Sequence, residues 1–143
     1  MVGRDVNDRN KTVKAFALDL LSNPKKSDVK FTYPDKSEIE EKFKNYFGIN
    51  TYPGGEPQKI VLSLKNTTED FNHAEFIRTM PLHHTQDIVS ENENETIIEL
   101  YLFPSEDFKR ELLYYSDKIK VMEPKSLADD IVKMHKAAIE CYR

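Results

Sequence analysis

A chain of 143 residues with 38% apolar and 32% charged residues is long enough for one ordinary domain or two small ones with broad solvated faces. Folding at this size buries roughly two-thirds of the surface that the unfolded chain exposes, so a real core is available. The net charge of −4 argues against a chain that grips phosphate backbones over its whole surface, and leaves room only for a local basic patch.

The start, MVGRDVNDRNK, has charges and no apolar core segment, so it does not read as a signal peptide. No apolar run has the length of a membrane span. Cys141 is the single cysteine and can form neither an internal disulfide nor a zinc site alone. It reads as a free thiol in a reducing compartment, and a cytoplasmic location is expected. The sequons at Asn10, Asn66 and Asn94 then read as chance matches.

Residues 1–11 are polar and read as a loop. Residues 11–21 read as a strand in which Lys14, Phe16, Leu18 and Leu20 share one face; a short helix is the alternative, since alanine and leucine favour it. Ser22-Asn23-Pro24 ends that element, and Val29, Phe31 and Tyr33 suggest a short second strand before Pro34. Residues 37–47 read as a helix. Ser37 and Glu40 have capping-box spacing, and Ile39, Phe43, Tyr46 and Phe47 recur at helical period. Gly48 is placed to be its left-handed C′ residue, with Ile49 closing a Schellman motif. The two prolines and paired glycines of residues 50–58 mark a linker.

In residues 59–65, Ile60, Leu62 and Leu64 alternate as in a strand. Thr67 or Asp70 can cap a helix whose stripe is Phe71, Ala74, Ile77 and Met80, stopping at Pro81. Residues 84–90 make a poor strand, expected at a sheet edge. After the polar turn ENENE, residues 96–103 alternate strongly, with Ile98, Leu100 and Leu102 on one face. Ser105 caps a helix striped by Phe108, Leu112 and Tyr115, and Ile119 and Val121 resume a period of two. In the last helix, Ser126 is the expected cap and Leu127, Ile131, Met134, Ala138 and Tyr142 the apolar stripe.

The fold class is therefore α+β. From residue 59 the order is β-α-β-β-α-β plus an added C-terminal helix, the ferredoxin-like split βαβ arrangement, with both crossover helices expected on one sheet face. The added helix must bury its stripe against the sheet, the front segment or a second subunit.

Several landmarks resemble one family when taken in order. Met1-Val2-Gly3, Phe16-Ala17-Leu18-Asp19 and Phe47-Gly48-Ile49 resemble the tail of a WYL domain, a small Sm-like barrel of bacterial transcription regulators. Residues 59–65, His83-His84-Thr85-Gln86, Tyr115 and the run 118–124 resemble the C-terminal extension of those proteins, called WCX. The family's Trp-Tyr pair is absent, Leu20 stands where the family has an arginine, and Ser116 or Asp117 replaces a common glycine. The resemblance implies an end of a WYL domain over residues 1–49, a linker over 50–58 and a WCX module over 59–143. It implies effector sensing and oligomerisation, a dimer favoured, in place of catalysis. It also implies that DNA is met only through a winged helix outside this chain. A stand-alone ferredoxin-like module that binds a small molecule is the other reading.

No residue stands out as a reacting group. The acids lie in caps or solvated runs, and Ser63 and Ser90 lack nucleophile context. His83 and His84 are adjacent, so in an extended segment they point apart and suit one metal poorly. No metal, cofactor or membrane contact is expected. The residues placed to touch a small-molecule or nucleic-acid effector are Lys14, Phe16, Arg78, His84, Gln86, Lys118 and Lys120, through charge near sheet edges and aromatic or polar neighbours.

Overall fold

The structure is a computed structural model that describes residues 2–4, 7, 9, 13–16, 18–30, 33, 35–49, 55–67 and 72–143. It divides into two compact units, Met1–Lys44 and Asn45–Arg143.

In the first unit, β1 (Val2–Arg4) and β2 (Val13–Ala15) pair antiparallel, with Gly3 opposite Lys14. The expected strand over 11–21 is thus short; residues 11, 12 and 17 lie outside the described residues. Leu18–Leu20 forms a 3-10 turn closed by the Leu21 N–H on Leu18 O, and Leu18 and Leu20 face solvent, not a core. Val29 and Tyr33 are exposed and belong to no strand; Phe31 lies outside the described residues.

Helix α1 (Lys36–Phe43) starts one residue earlier than expected because Asp35, not Ser37, caps it. The Asp35 carboxylate accepts the Ser37 N–H at 2.8 Å and the Ser37 hydroxyl at 2.7 Å, and these bonds hold its pKa below the usual carboxylate value. A charged oxygen meets the orphan N–H groups and the positive helix end more strongly than a hydroxyl does. The helix stops at Phe43, so Tyr46 and Phe47 are not part of its stripe. Gly48 does have positive φ (74°), but it lies beyond the helix end, and Ile49 is exposed instead of closing a Schellman motif.

The second unit holds a four-stranded antiparallel sheet in the order β4-β5-β3-β6. Its strands are β3 (Gln58–Lys65), β4 (Asp87–Glu91), β5 (Glu95–Leu102) and β6 (Ile119–Glu123). Between them run α2 (His73–Thr79) and α3 (Glu106–Tyr114), and α4 (Lys125–Glu140) follows. Period-two alternation puts Ile60, Leu62 and Leu64 of β3, and Ile98, Leu100 and Leu102 of β5, on one buried face. Ala74 and Ile77 of α2 and Phe108 and Leu112 of α3 join them in a single apolar cluster, so both helices cover the same side. Leu127 of α4 is also buried there. β4 is exposed throughout and pairs only with β5, as an edge strand should.

Polar ends are closed locally. Asn72, one residue before α2, accepts the Ala74 N–H at 3.1 Å and caps the helix in place of Thr67 or Asp70; Asp70 and Phe71 lie outside the described residues. α2 ends at Thr79, so Met80 turns out to solvent instead of completing the stripe. Ser105 caps α3 as expected, taking the Phe108 N–H at 3.2 Å. The chain enters α4 through Pro124, and Ser126 already lies inside the helix, so it is not the cap. In the 91–95 turn, Asn92 Oδ1 accepts the N–H groups of Asn94 and Glu95, and Asn66 Oδ1 satisfies the buried Thr96 hydroxyl.

Residues 45–49 belong to the second unit. The Phe103 N–H donates to Asn45 O at 2.9 Å, and the Ser105 hydroxyl donates to Phe47 O at 3.3 Å. The Phe47 ring meets Phe108 edge-on, with centroids 5.1 Å apart. The expected linker residues 50–54 lie outside the described residues, and Gln58 already opens β3.

Candidate functional site

The residues singled out from sequence fall in both units, and those of the second unit do not converge on one site. Lys14 in β2 and Phe16 after it belong to the first unit; the Phe16 ring edge lies 3.8 Å from where a Cβ on Gly3 would stand. In the second unit, Arg78 lies in the last turn of α2 and reaches toward β4, one edge of the sheet, whereas Lys118 and Lys120 lie at β6, the other edge. Strands β5 and β3 stand between.

On the β4 side the loop 82–86 is built inward. Gln86 Nε2 donates to Ile77 O and its Oε1 accepts the Leu82 N–H, both at 3.0 Å, tying the end of α2 to the approach of β4. Asp87 pairs with Glu99, so Thr85 stands at the register position opposite Tyr101. There its side chain takes over from the backbone: Thr85 Oγ1 accepts the Tyr101 N–H at 3.0 Å and lies 3.2 Å from Tyr101 O and 2.8 Å from His83 Nδ1. His84 is exposed and its ring lies 4.2 Å from that of His83. Gln86 therefore spends its amide on the fold, while His84 stays accessible.

Arg78 bridges Glu75 at 3.0 Å and Glu91 at 3.6 Å. Beside it a cavity of about 260 Å³ is lined by Asn66, Thr67, Asn72, Glu75, Glu91 and Glu93. Its acids face no cluster suited to a metal: among the described residues no group of three or more His, Cys, Asp or Glu side chains is so arranged.

On the β6 side the surface is apolar. A groove of about 560 Å³ runs between β6 and α4. Ile119 and Val121 form its strand wall; Ala128, Ile131, Val132, His135 and Ile139 form its helix wall. Lys120, Ser116 and Asp117 sit at its rim, and Lys120 is the sequence-predicted residue that this groove absorbs. Lys118 is largely covered, with its ammonium 3.7 Å from Asp117. The groove went unread in the sequence because the expected stripe of α4 was assigned wholly to burial. In fact Leu127 is buried, Ile131 and Met134 are half-buried, and Ala138 and Tyr142 are exposed.

The groups with displaced protonation equilibria support the fold. Lys109 of α3 bonds to Asp130 of α4 at 2.7 Å and to Glu106 at 3.1 Å; these bonds, Asp130 first, raise its pKa, and the same lysine lowers that of Asp130. Lys59 is raised by its hydrogen bond to Glu99 across the β3–β5 pair. Tyr115 is pushed up to about 12, chiefly by burial and then by Glu111. The arrangement presents an apolar surface beside β6, an edge strand of the sheet.

Residues 56–139, which span all four strands, α2, α3 and nearly all of α4, match the profile of the WCX domain. This chain belongs to the WCX domain family. Among curated proteins none matches the chain. The WCX match begins after residues 45–49, so the docked segment that covers Phe108 lies outside it. The groove lies wholly within the WCX match, from Ser116 to Ile139. No helix among the described residues is long and apolar enough to cross a membrane.

Proposed function

We propose that this chain is the effector-sensing and oligomerising portion of a bacterial WYL-type transcription regulator, working in the cytoplasm and without catalysis. The WCX match over residues 56–139 is the observation that carries the reading, since it places a regulatory-associated domain over more than half of the chain. On this reading residues 1–49 are the end of a WYL domain, 50–58 a linker and 59–143 a ferredoxin-like module. Its strand order and common helix face are those that two split βαβ crossovers would give. Assembly supplies the partner that the uncovered half of α4 lacks. An effector of small-molecule or nucleic-acid chemistry would act by favouring one pose of the assembled modules over another.

Sedimentation velocity of the chain over a micromolar concentration series tests assembly: a concentration-dependent dimer is expected, and a clean monomer at high micromolar concentration would overturn that part. Thermal melts with short single-stranded oligonucleotides and with mononucleotides test sensing. A rise in Tm that grows with ligand concentration is expected for one of the two, as binding to the native state alone requires.

A further inference from the structure

Helix α4 carries a second apolar line beside the one that faces the core. Ala128, Val132, His135 and Ile139, continued by Tyr142 in the turn just past the helix end at Glu140, recur at intervals of four, three, four and three residues, the spacing of a coiled-coil seam. Its first four residues line the groove, together with Ile131. Ala128 and His135 are half-buried, but the other three are largely uncovered in the monomer: Val132 is 50% exposed, Ile139 54% and Tyr142 93%. Resting on the oligomerising reading above, we propose that this seam is filled by the same helix of a second copy, running antiparallel about a two-fold axis at His135.

The seam is complementary to itself only in that direction. With the axis at His135, Tyr142 lies over Ala128 of the second copy and Ile139 beside its Val132, so large side chains meet small or medium ones. A parallel pair would instead set Tyr142 on Tyr142 and leave a gap between two alanines. Charge agrees. Asp129, Lys136 and Arg143 flank the seam on one side. An antiparallel pair brings each Asp129 to the Arg143 of the other copy, forming two ion pairs at the outer ends; a parallel pair brings neither. In the monomer Asp129 is held by Lys125 at 2.8 Å and Arg143 by Glu140 at 2.9 Å, exposed pairs that exchange partners at little cost. Antiparallel alignment also opposes the two helix dipoles. Lys136 meets its copy near the axis at the wet rim, where water and salt screen the repulsion. On the opposite flank lie Ile131 and the exposed Ala138, which extend the apolar contact.

The test is disulfide trapping in the whole chain with Cys141→Ser, oxidised with copper–phenanthroline. Residues 128 and 142 of one copy stand near opposite ends of α4, about 20 Å apart at 1.5 Å per residue, so they cannot bridge within a copy. Ala128→Cys with Tyr142→Cys together should give a covalent dimer, and each substitution alone should not. Covalent dimers from Ala128→Cys alone would mean a parallel pair and overturn the proposal. A chain that sediments as a dimer but is not trapped by the double substitution would overturn the seam while leaving the oligomerising reading intact; a monomer would remove both. Exposed Ile139 and half-buried His135 serve as a second readout: Ile139→Asp should abolish dimerisation, and His135→Leu, which replaces a polar pair on the axis by an apolar one, should tighten it roughly tenfold or more, the scale of one added buried contact. No tightening by His135→Leu would also count against an axis at that residue.

Discussion

The Asp107 carboxylate accepts the Ile49 N–H at 3.0 Å across 58 residues of sequence, and the residue before that N–H, Gly48, has positive φ. A Cβ added at Gly48 would come within 2.5 Å of Asp107 Oδ2 and 2.7 Å of its Cβ. Glycine is required here twice over, for its backbone conformation and for the close approach of the side chain that holds the next residue.

Gly48→Ala should therefore destabilise the second unit by about 2 kcal/mol or more, since the left-handed conformation alone costs roughly 1–2 kcal/mol. Asp107→Ala should cost about 1 kcal/mol through the lost hydrogen bond. The double variant should cost less than the two combined, because the second change removes two of the three atoms that the new methyl would meet. Urea unfolding of the three variants measures this coupling; strict additivity would mean that the contact does not form.

Gln86 gives a contrasting prediction. Its amide satisfies Ile77 O and the Leu82 N–H together, so Gln86→Ala leaves two partly buried backbone groups without partners. A loss of roughly 1–3 kcal/mol is expected, seen as a drop of several degrees in Tm. Gln86→Glu keeps the acceptor for Leu82 but sets a carboxylate against the Ile77 carbonyl, and should also destabilise. An unchanged Tm in both variants would return Gln86 to the set of ligand-contacting candidates.

The buried phenol of Tyr115 makes an alkaline prediction. Its pKa rises from 10.0 unfolded to about 12 folded, so between those values the native state binds more protons than the unfolded state. Stability contributed by the protonated phenol is then complete below pH 10 and lost as pH rises through about 12, a loss of roughly 2–3 kcal/mol. Tyr115→Phe should lose less stability than the parent between pH 9 and 11. Lys59 and Lys109, whose raised pKa values add their own alkaline loss, are present in both chains and cancel in the comparison.

The elements most legible in the sequence were those whose burial alternates without interruption. Ile60-Leu62-Leu64 and Ile98-Leu100-Leu102 could be placed on one face from period alone, because a register slip would turn every one of them to water. Phe108, Leu112 and Tyr115 were equally clear. Caps were less so: Asp35 and Asn72 replace Ser37 and Thr67 or Asp70, since several residues near a helix start can supply an oxygen and only the backbone path decides which one reaches. The candidate site was read least well. Charges at Arg78 and Lys120 looked equivalent in sequence, yet strand order sends them to opposite edges. The groove was hidden because one helix carries two apolar lines, and period alone does not say which of them faces the core.

The docking of residues 45–49 sets where the chain grips its C-terminal unit. Any pull or twist transmitted along the backbone from residue 44 would arrive first at the Asn45–Phe103 and Phe47–Ser105 bonds, and so at the start of α3, before it could strain β3.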